Sequence, residues 1–190
     1  MKGTSQKKDV YEIKPIIATE YNIEGYPSDD FIKMVLEVRP EQVTLVPDGP
    51  DVITSCAGWD TVKFQDYLKE IISVFKESGI RTSIFVGPII EMIEGAKLCG
   101  TDRIELYTED YATNYSEDKE KAIAPYVLCA RKAAELGLEI NAGHDLSLEN
   151  LEYFAKEIPN LAEVSIGHAL ISDALYLGLE NTIQMYKRLL

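Results

Sequence analysis

The sequence predicts an α/β fold wound around a parallel sheet, six strand–helix units amounting to about three quarters of a (β/α)8 TIM barrel. Three observations carry this. Short β-branched runs alternate with longer amphipathic stretches along the chain, which is the pattern of parallel strands joined by helical crossovers. The junctions hold the residues that end helices, with Gly79, Gly100 and Gly137 just past three helical runs. The chain has 190 residues, and a complete barrel takes about 250. An open doubly wound sheet is the rival architecture.

In chain order, residues 9–17 read as a helix ahead of the first strand, 18–23. Ser28 stands where a side chain would cap a helix over 28–38, and the second strand follows at 42–46. A long loop, 47–60, ends at Asp60, another candidate cap, before a helix over 61–78. The third strand, 82–86, leads to a helix at 88–98. The fourth, 103–107, is followed by a second long loop at 108–118 and a helix at 119–136. The fifth strand, 138–141, precedes a helix beginning at the candidate cap Ser147 and running to 157. The sixth, 163–166, precedes a helical stretch at 169–189 with a break at Gly178. Residues 1–8 lack this pattern and read as an unrelated, disordered leader before one domain, 9–190; no linker or low-complexity segment divides that domain.

Composition narrows the function. Acidic residues outnumber basic ones by 32 to 19, giving a net charge of −13 that repels nucleic acid and anionic membrane surfaces. No apolar run approaches the roughly 20 residues of a membrane span, and residues 1–12 lack the apolar core of a secretory signal, which implies a cytoplasmic protein. Cys56, Cys99 and Cys129 form neither an even disulfide set nor a C-x-x-C pair, so they read as reduced thiols, with Cys56 in a loop.

Parallel α/β folds build their sites at the C-terminal ends of strands. There this chain places Glu24, Pro47-Asp48, Gly87, Glu105, Gly143-His144 and Gly167-His168. His144 and His168 are its only histidines, and both follow a β-type run and a glycine. A lone histidine before a helix is more often structural, but a shared frame on successive strands favours a site. Glu24 could equally cap the next helix, and Glu105 could face the barrel interior or solvent. Two carboxylates and two imidazoles could move protons both ways near neutral pH. Metal binding is disfavoured, since no close His-x-x-x-His or similar spacing exists. Phosphate suits the loops after the last two strands, where Gly167-His168-Ala169 opens a helix with free N–H groups.

These stretches resemble the pyridoxine 5′-phosphate synthase family. The resemblance is carried, in order, by Asn22-Ile23-Glu24, Val43-Thr44-Leu45-Val46-Pro47, Arg103-Ile104-Glu105-Leu106-Tyr107-Thr108 with Tyr111-Ala112, Asn141-Ala142-Gly143-His144, and Ser165-Ile166-Gly167-His168-Ala169. It implies a TIM barrel that condenses 3-amino-2-oxopropyl phosphate with 1-deoxyxylulose 5-phosphate to give pyridoxine 5′-phosphate, phosphate and water. Glu24 then matches a proton acceptor, His144 a proton donor, Thr54 a substrate contact, Gly167 and His168 a phosphate-binding pair, and Glu105 an acid of the same pocket. No cofactor or metal is implied, since a glutamate and a histidine can relay the proton transfers. The partners implied are small phosphorylated substrates, inorganic phosphate and further copies of the chain, as a homo-octamer.

Two departures accompany the resemblance. Asp145 stands where the family usually has glycine, in a turn expected to contribute to phosphate binding, and a carboxylate there must turn away from the anion. The family also begins with two further strand–helix units, carrying a substrate-binding arginine and a catalytic His-x-Arg, which this sequence does not show. The alternative is therefore a barrel fragment, inactive or dependent on assembly, that at most binds phosphate esters, with open edges at strands 18–23 and 163–166 and negligible turnover alone. A generic phosphosugar isomerase or aldolase would want a Schiff-base lysine at a strand end, and there is none.

Overall fold

The computed structural model describes residues 7–48 and 57–190. Within them, six parallel strands pair in sequence order: β1 (Asn22–Gly25), β2 (Gln42–Leu45), β3 (Arg81–Val86), β4 (Arg103–Tyr107), β5 (Glu139–Gly143) and β6 (Leu161–Ser165). That order has no reversal, which removes the doubly wound alternative. The sheet is strongly curled. Gln42 Nε2 on β2 donates to Glu163 Oε2 on β6 at 3.2 Å, whereas four strand spacings in a flat sheet would separate those backbones by roughly 19 Å. The result is a curled half-barrel, open along β1 and β6 among the described residues.

Alternation along the strands divides apolar from polar. Val43, Leu45, Ile84, Val86, Ile104, Leu106, Ile140 and Ala142 are fully buried. They belong to one apolar cluster with residues of the surrounding helices, notably Val35, Leu68, Phe75, Ile93, Ala130 and Phe154. The alternate positions, Gln42, Thr44, Ser83, Glu105 and Asn141, are also buried but polar. The hydrophobic core therefore lies between sheet and helices, while the concave face is lined by groups able to do chemistry.

The helices follow local rules. In α2 (Asp29–Val38) the Ser28 hydroxyl accepts from the Phe31 N–H, as its capping position predicts, and Met34, Val35 and Val38 are buried at helical spacing. The helices α3 (Gln65–Glu77), α4 (Ile90–Cys99) and α6 (Lys119–Glu135) end at or beside Gly79, Gly100 and Gly137, all with positive φ. Gly178, at φ 80 and ψ 139, splits the last helical stretch into α8 (His168–Leu177) and α9 (Leu179–Lys187).

Several boundaries move. The first helix, α1, spans Lys7–Ile13 and passes into a 3-10 turn at Lys14–Ile16, so Lys7 and Lys8 of the expected leader are folded. β1 starts at Asn22 rather than residue 18; the Tyr21 N–H is taken by the Glu41 carboxylate. The helix expected from residue 61 starts at Gln65, because Asp60 caps a turn through the Lys63 N–H and the buried Thr61 hydroxyl bonds the Met92 carbonyl. The expected loop 108–118 contains a helix, α5 (Glu109–Asn114), pinned by the buried Tyr111. Ser147 does not cap α7 (Leu151–Glu157). Its own N–H donates to the Asn150 side chain, and the chain turns once more before the helix.

Candidate active site at the C-terminal mouth

Strand register sets the site. Glu24 pairs with Thr44 across β1 and β2, Phe85 with Glu105 across β3 and β4, Tyr107 with Gly143 across β4 and β5, and Gly143 with Ser165 across β5 and β6. Glu24, Phe85, Glu105, His144, Ser165, Ile166, Gly167 and His168 line one cavity of about 390 Å³ at the strand ends. Five of the seven site residues expected from sequence therefore meet there. Asp145 stands behind His144 without lining the cavity, and Thr54 lies outside the described residues. Phe85, Ser165 and Ile166 also line the cavity, and an ordinary apolar or serine residue at a strand end does not by its type mark a pocket.

Glu105 is 2% exposed and faces inward, and its Oε2 has no hydrogen-bond partner among the described residues. Burial first, then the nearby carboxylates of Glu24 and Glu163, push its pKa up to about 8, with Thr44 pulling weakly the other way. A group of this kind holds its proton at pH 7. Glu24 is reached by water at the cavity mouth, yet protein surrounds it on most sides. That crowding raises its pKa, and His144 offsets part of the rise. The cavity thus holds two carboxyl groups with raised pKa values, of which Glu105, the more deeply buried, is the one predisposed to donate a hydrogen bond.

His144 occupies a strained turn, with φ at +79. Its N–H donates to the Ser165 carbonyl at 3.0 Å, and the Asp145 N–H to Gly143 O and Thr108 Oγ1, both at 3.2 Å. Gly143 is required before it: a Cβ there would lie 2.4 Å from Ser165 O and 3.1 Å from Glu105 Oε1. The imidazole stands edge-on to Tyr107 and His168, with ring centres 6.2 and 6.1 Å away. Both turn amides are thus already engaged. The N-terminus of α8 differs, since Gly167 offers no side-chain cap and a Cβ there would meet only open space. Its first-turn N–H groups point the positive end of a helix at the cavity.

A larger depression of about 720 Å³ lies near the opposite ends of the strands, bordered by Lys76, Arg81, Lys97, Asp102 and Glu139. Gly79, Gly100 and Gly137 at helix C-termini also border it, and Lys76 is held by Asp102 and the Gly100 carbonyl. Its chemistry is that of a rim where helices end.

A family model described as pyridoxal phosphate biosynthesis protein PdxJ matches residues 3–190. The pyridoxine 5′-phosphate synthase of Christiangramia forsetii is 62% identical over 182 residues, covering 96% of this chain and 77% of that protein. That of Bacteroides fragilis is 60% identical over 185 residues, with shares of 97% and 78%. Among solved structures, a monomeric form of the dimeric phosphoribosylanthranilate isomerase of Thermotoga maritima superposes with a TM-score of 0.58 at 14% identity, covering 97% of this chain and 78% of that one. At that identity the likeness is one of fold alone.

Proposed function

Because the chain belongs to the PdxJ family of pyridoxal phosphate biosynthesis proteins, we propose that it acts as a pyridoxine 5′-phosphate synthase, condensing 3-amino-2-oxopropyl phosphate with 1-deoxyxylulose 5-phosphate. The observation that carries the mechanism is the convergence of Glu24, Glu105 and His144 on one cavity beside the uncapped start of α8. Forming the Schiff base, eliminating water and closing the ring are successive proton transfers. Glu24 takes protons as base, and His144 returns them to departing oxygens. Glu105, protonated near neutrality, donates a hydrogen bond to a substrate oxygen.

Phosphate recognition follows from charge. Both substrates are anions approaching a chain of net charge −13, so local positive potential is needed. We assign it to the N–H groups of Gly167, His168 and the first turn of α8, with the His168 ring beside them. A protonated Glu105 helps by removing one negative charge from the cavity. Thr54 is proposed as a further substrate contact, while Asp145 acts through His144 rather than on the anion. No step needs a metal or organic cofactor.

The reading includes assembly with further copies and work in the cytoplasm. Leu175 and Tyr176 on α8 are 81% and 90% exposed, an apolar surface suited to contact with another chain. Among the described residues no helix is long and apolar enough to cross a membrane.

Product formation from the two substrates tests the assignment. Glu24→Gln and His144→Ala should each lower the rate by about 10² to 10⁴, the usual share of general acid–base catalysis, with far-UV circular dichroism unchanged. Near-normal turnover in either variant would sink the role given to that residue.

A further inference from the structure

We propose that Asp145 is the positioning residue of His144: its carboxylate holds the hydrogen on Nδ1, making Nε2 the nitrogen that exchanges protons in the cavity. The catalytic half of this rests on the proposed role of His144. The geometric half stands on Asp145 Oδ2, 3.0 Å from His144 Nδ1. A carboxylate oxygen can only accept, so the hydrogen of that bond belongs to Nδ1. Nε2 has no hydrogen-bond partner among the described residues. A free neutral imidazole prefers the opposite tautomer, with its hydrogen on Nε2, so the contact reverses the ring's own preference.

Neighbouring residues seldom face one another in this way, and the backbone is bent to allow it. The left-handed conformation of His144 brings the two side chains together, and four bonds from three parts of the fold hold the turn. Ser165 on β6 accepts from the His144 N–H, and Thr108 at the end of β4 accepts from the Asp145 N–H. The Asp145 N–H also reaches Gly143 O, and Asn150 ahead of α7 donates to the Asp145 carbonyl at 3.3 Å. Asn150 is fixed in turn, its carbonyl accepting from the buried Tyr111 hydroxyl at 2.7 Å. Strain maintained by this many contacts is a mark of a site rather than of an accidental loop.

The other ionisable groups around the ring are Glu24 from β1, Glu105 and Tyr107 from β4, and His168 at the start of α8. Among the described residues only Asp145 is hydrogen-bonded to it. With the hydrogen held on Nδ1, Nε2 is left as the ring nitrogen that takes up and returns protons.

The protein has two histidines, so uniform ¹⁵N-histidine labelling yields two imidazoles, and His168→Gln assigns them. In two-bond ¹H–¹⁵N spectra, neutral His144 should carry its hydrogen on Nδ1. Asp145→Ala should restore the Nε2–H form. It should also cut kcat about tenfold with KM within about twofold. Asp145→Asn keeps an accepting oxygen without the charge, so it should keep the Nδ1–H tautomer; Asp145→Leu, which has no accepting oxygen, gives the tautomer readout if the alanine variant does not fold. An Nε2–H tautomer in the unmodified protein, or an Nδ1–H tautomer that survives in Asp145→Ala, overturns the proposal. The spectra need no substrate. Wild-type turnover by His144→Ala would instead sink the functional reading while leaving the pairing intact.

Discussion

The two ends of the strands handle buried charge in opposite ways. At the N-terminal end, Arg103 is 11% exposed and surrounded: Nε meets Glu139 at 2.6 Å, and Nη1 meets Gln42 and Glu163 at 3.0 Å and Asn141 at 3.4 Å. Arg81 beside it pairs with Glu20 and bonds Gln42. At the C-terminal end, Glu24 and Glu105 face one cavity with no lysine or arginine in ion-pair distance among the described residues. Charges held for structure are given partners, because an unpaired buried charge is strongly destabilising. Carboxyls left without cations shift their pKa instead, and a shifted pKa is what proton transfer near neutral pH requires.

Substitutions at the two ends should therefore change stability with opposite sign. The largest loss belongs to Arg103→Met, which keeps the side-chain volume but strands Glu163 and Glu139. We expect about 2–4 kcal/mol less stability in urea unfolding at pH 7, towards the low end because Glu139 is open to water. A loss below about 0.5 kcal/mol would mean that the paired end is not held by its charges.

At the other end Glu105→Gln should stabilise, in a pH-dependent way. The folded-state pKa of Glu105, about 8, lies above that of the unfolded chain, so its contribution is fully present below about pH 4.5 and is lost as pH rises through 8. Glutamine does not titrate. The variant should match the parent near pH 4 and exceed it by on the order of a few kcal/mol at pH 8–9. Equal stability at both pH values would remove the claim that Glu105 is protonated in the fold. Turnover should fall in the same variant if the carboxyl donates to substrate.

The smallest effect tests whether burial, rather than location, makes the paired end matter. Lys76 and Asp102 form a 2.8 Å pair at the same end, but their side chains are 44% and 33% exposed. Asp102 keeps the Thr82 N–H and hydroxyl when Lys76 is removed. Lys76→Ala should therefore cost about 0.5 kcal/mol, largely lost in high salt. A cost close to that of Arg103→Met would break the distinction.

One segment links the fold to the site in a way periodicity could not suggest. Tyr111, in what reads from sequence as a loop, is fully buried against Tyr126 and Phe154, with ring centres 5.9 and 5.1 Å away. Its hydroxyl holds Asn150, and Asn150 holds the turn that carries His144 and Asp145. An aromatic in a loop gives no sign of where its hydroxyl will reach, so its supporting role is visible only in coordinates.

Local sequence carries the six strands and the long helix after each, though not α5, with the caps at Ser28 and Gly100, the break at Gly178, and the presence of Glu24, Glu105, His144, Gly167 and His168 at strand ends. These are local matters: alternation, helical period and turn chemistry act over a few residues and are written in order along the chain. Tertiary structure decided what depends on curvature and on neighbours far apart in sequence. It turned Glu105 inward, where sequence left both faces open, and aimed Asp145 at His144 instead of at an anion. It also brought Gln42 within 3.2 Å of Glu163 across 121 positions, closing a charged layer beneath the cavity. The physical reason is that burial and Coulomb interaction depend on distance in space, and the curl of the sheet sets those distances.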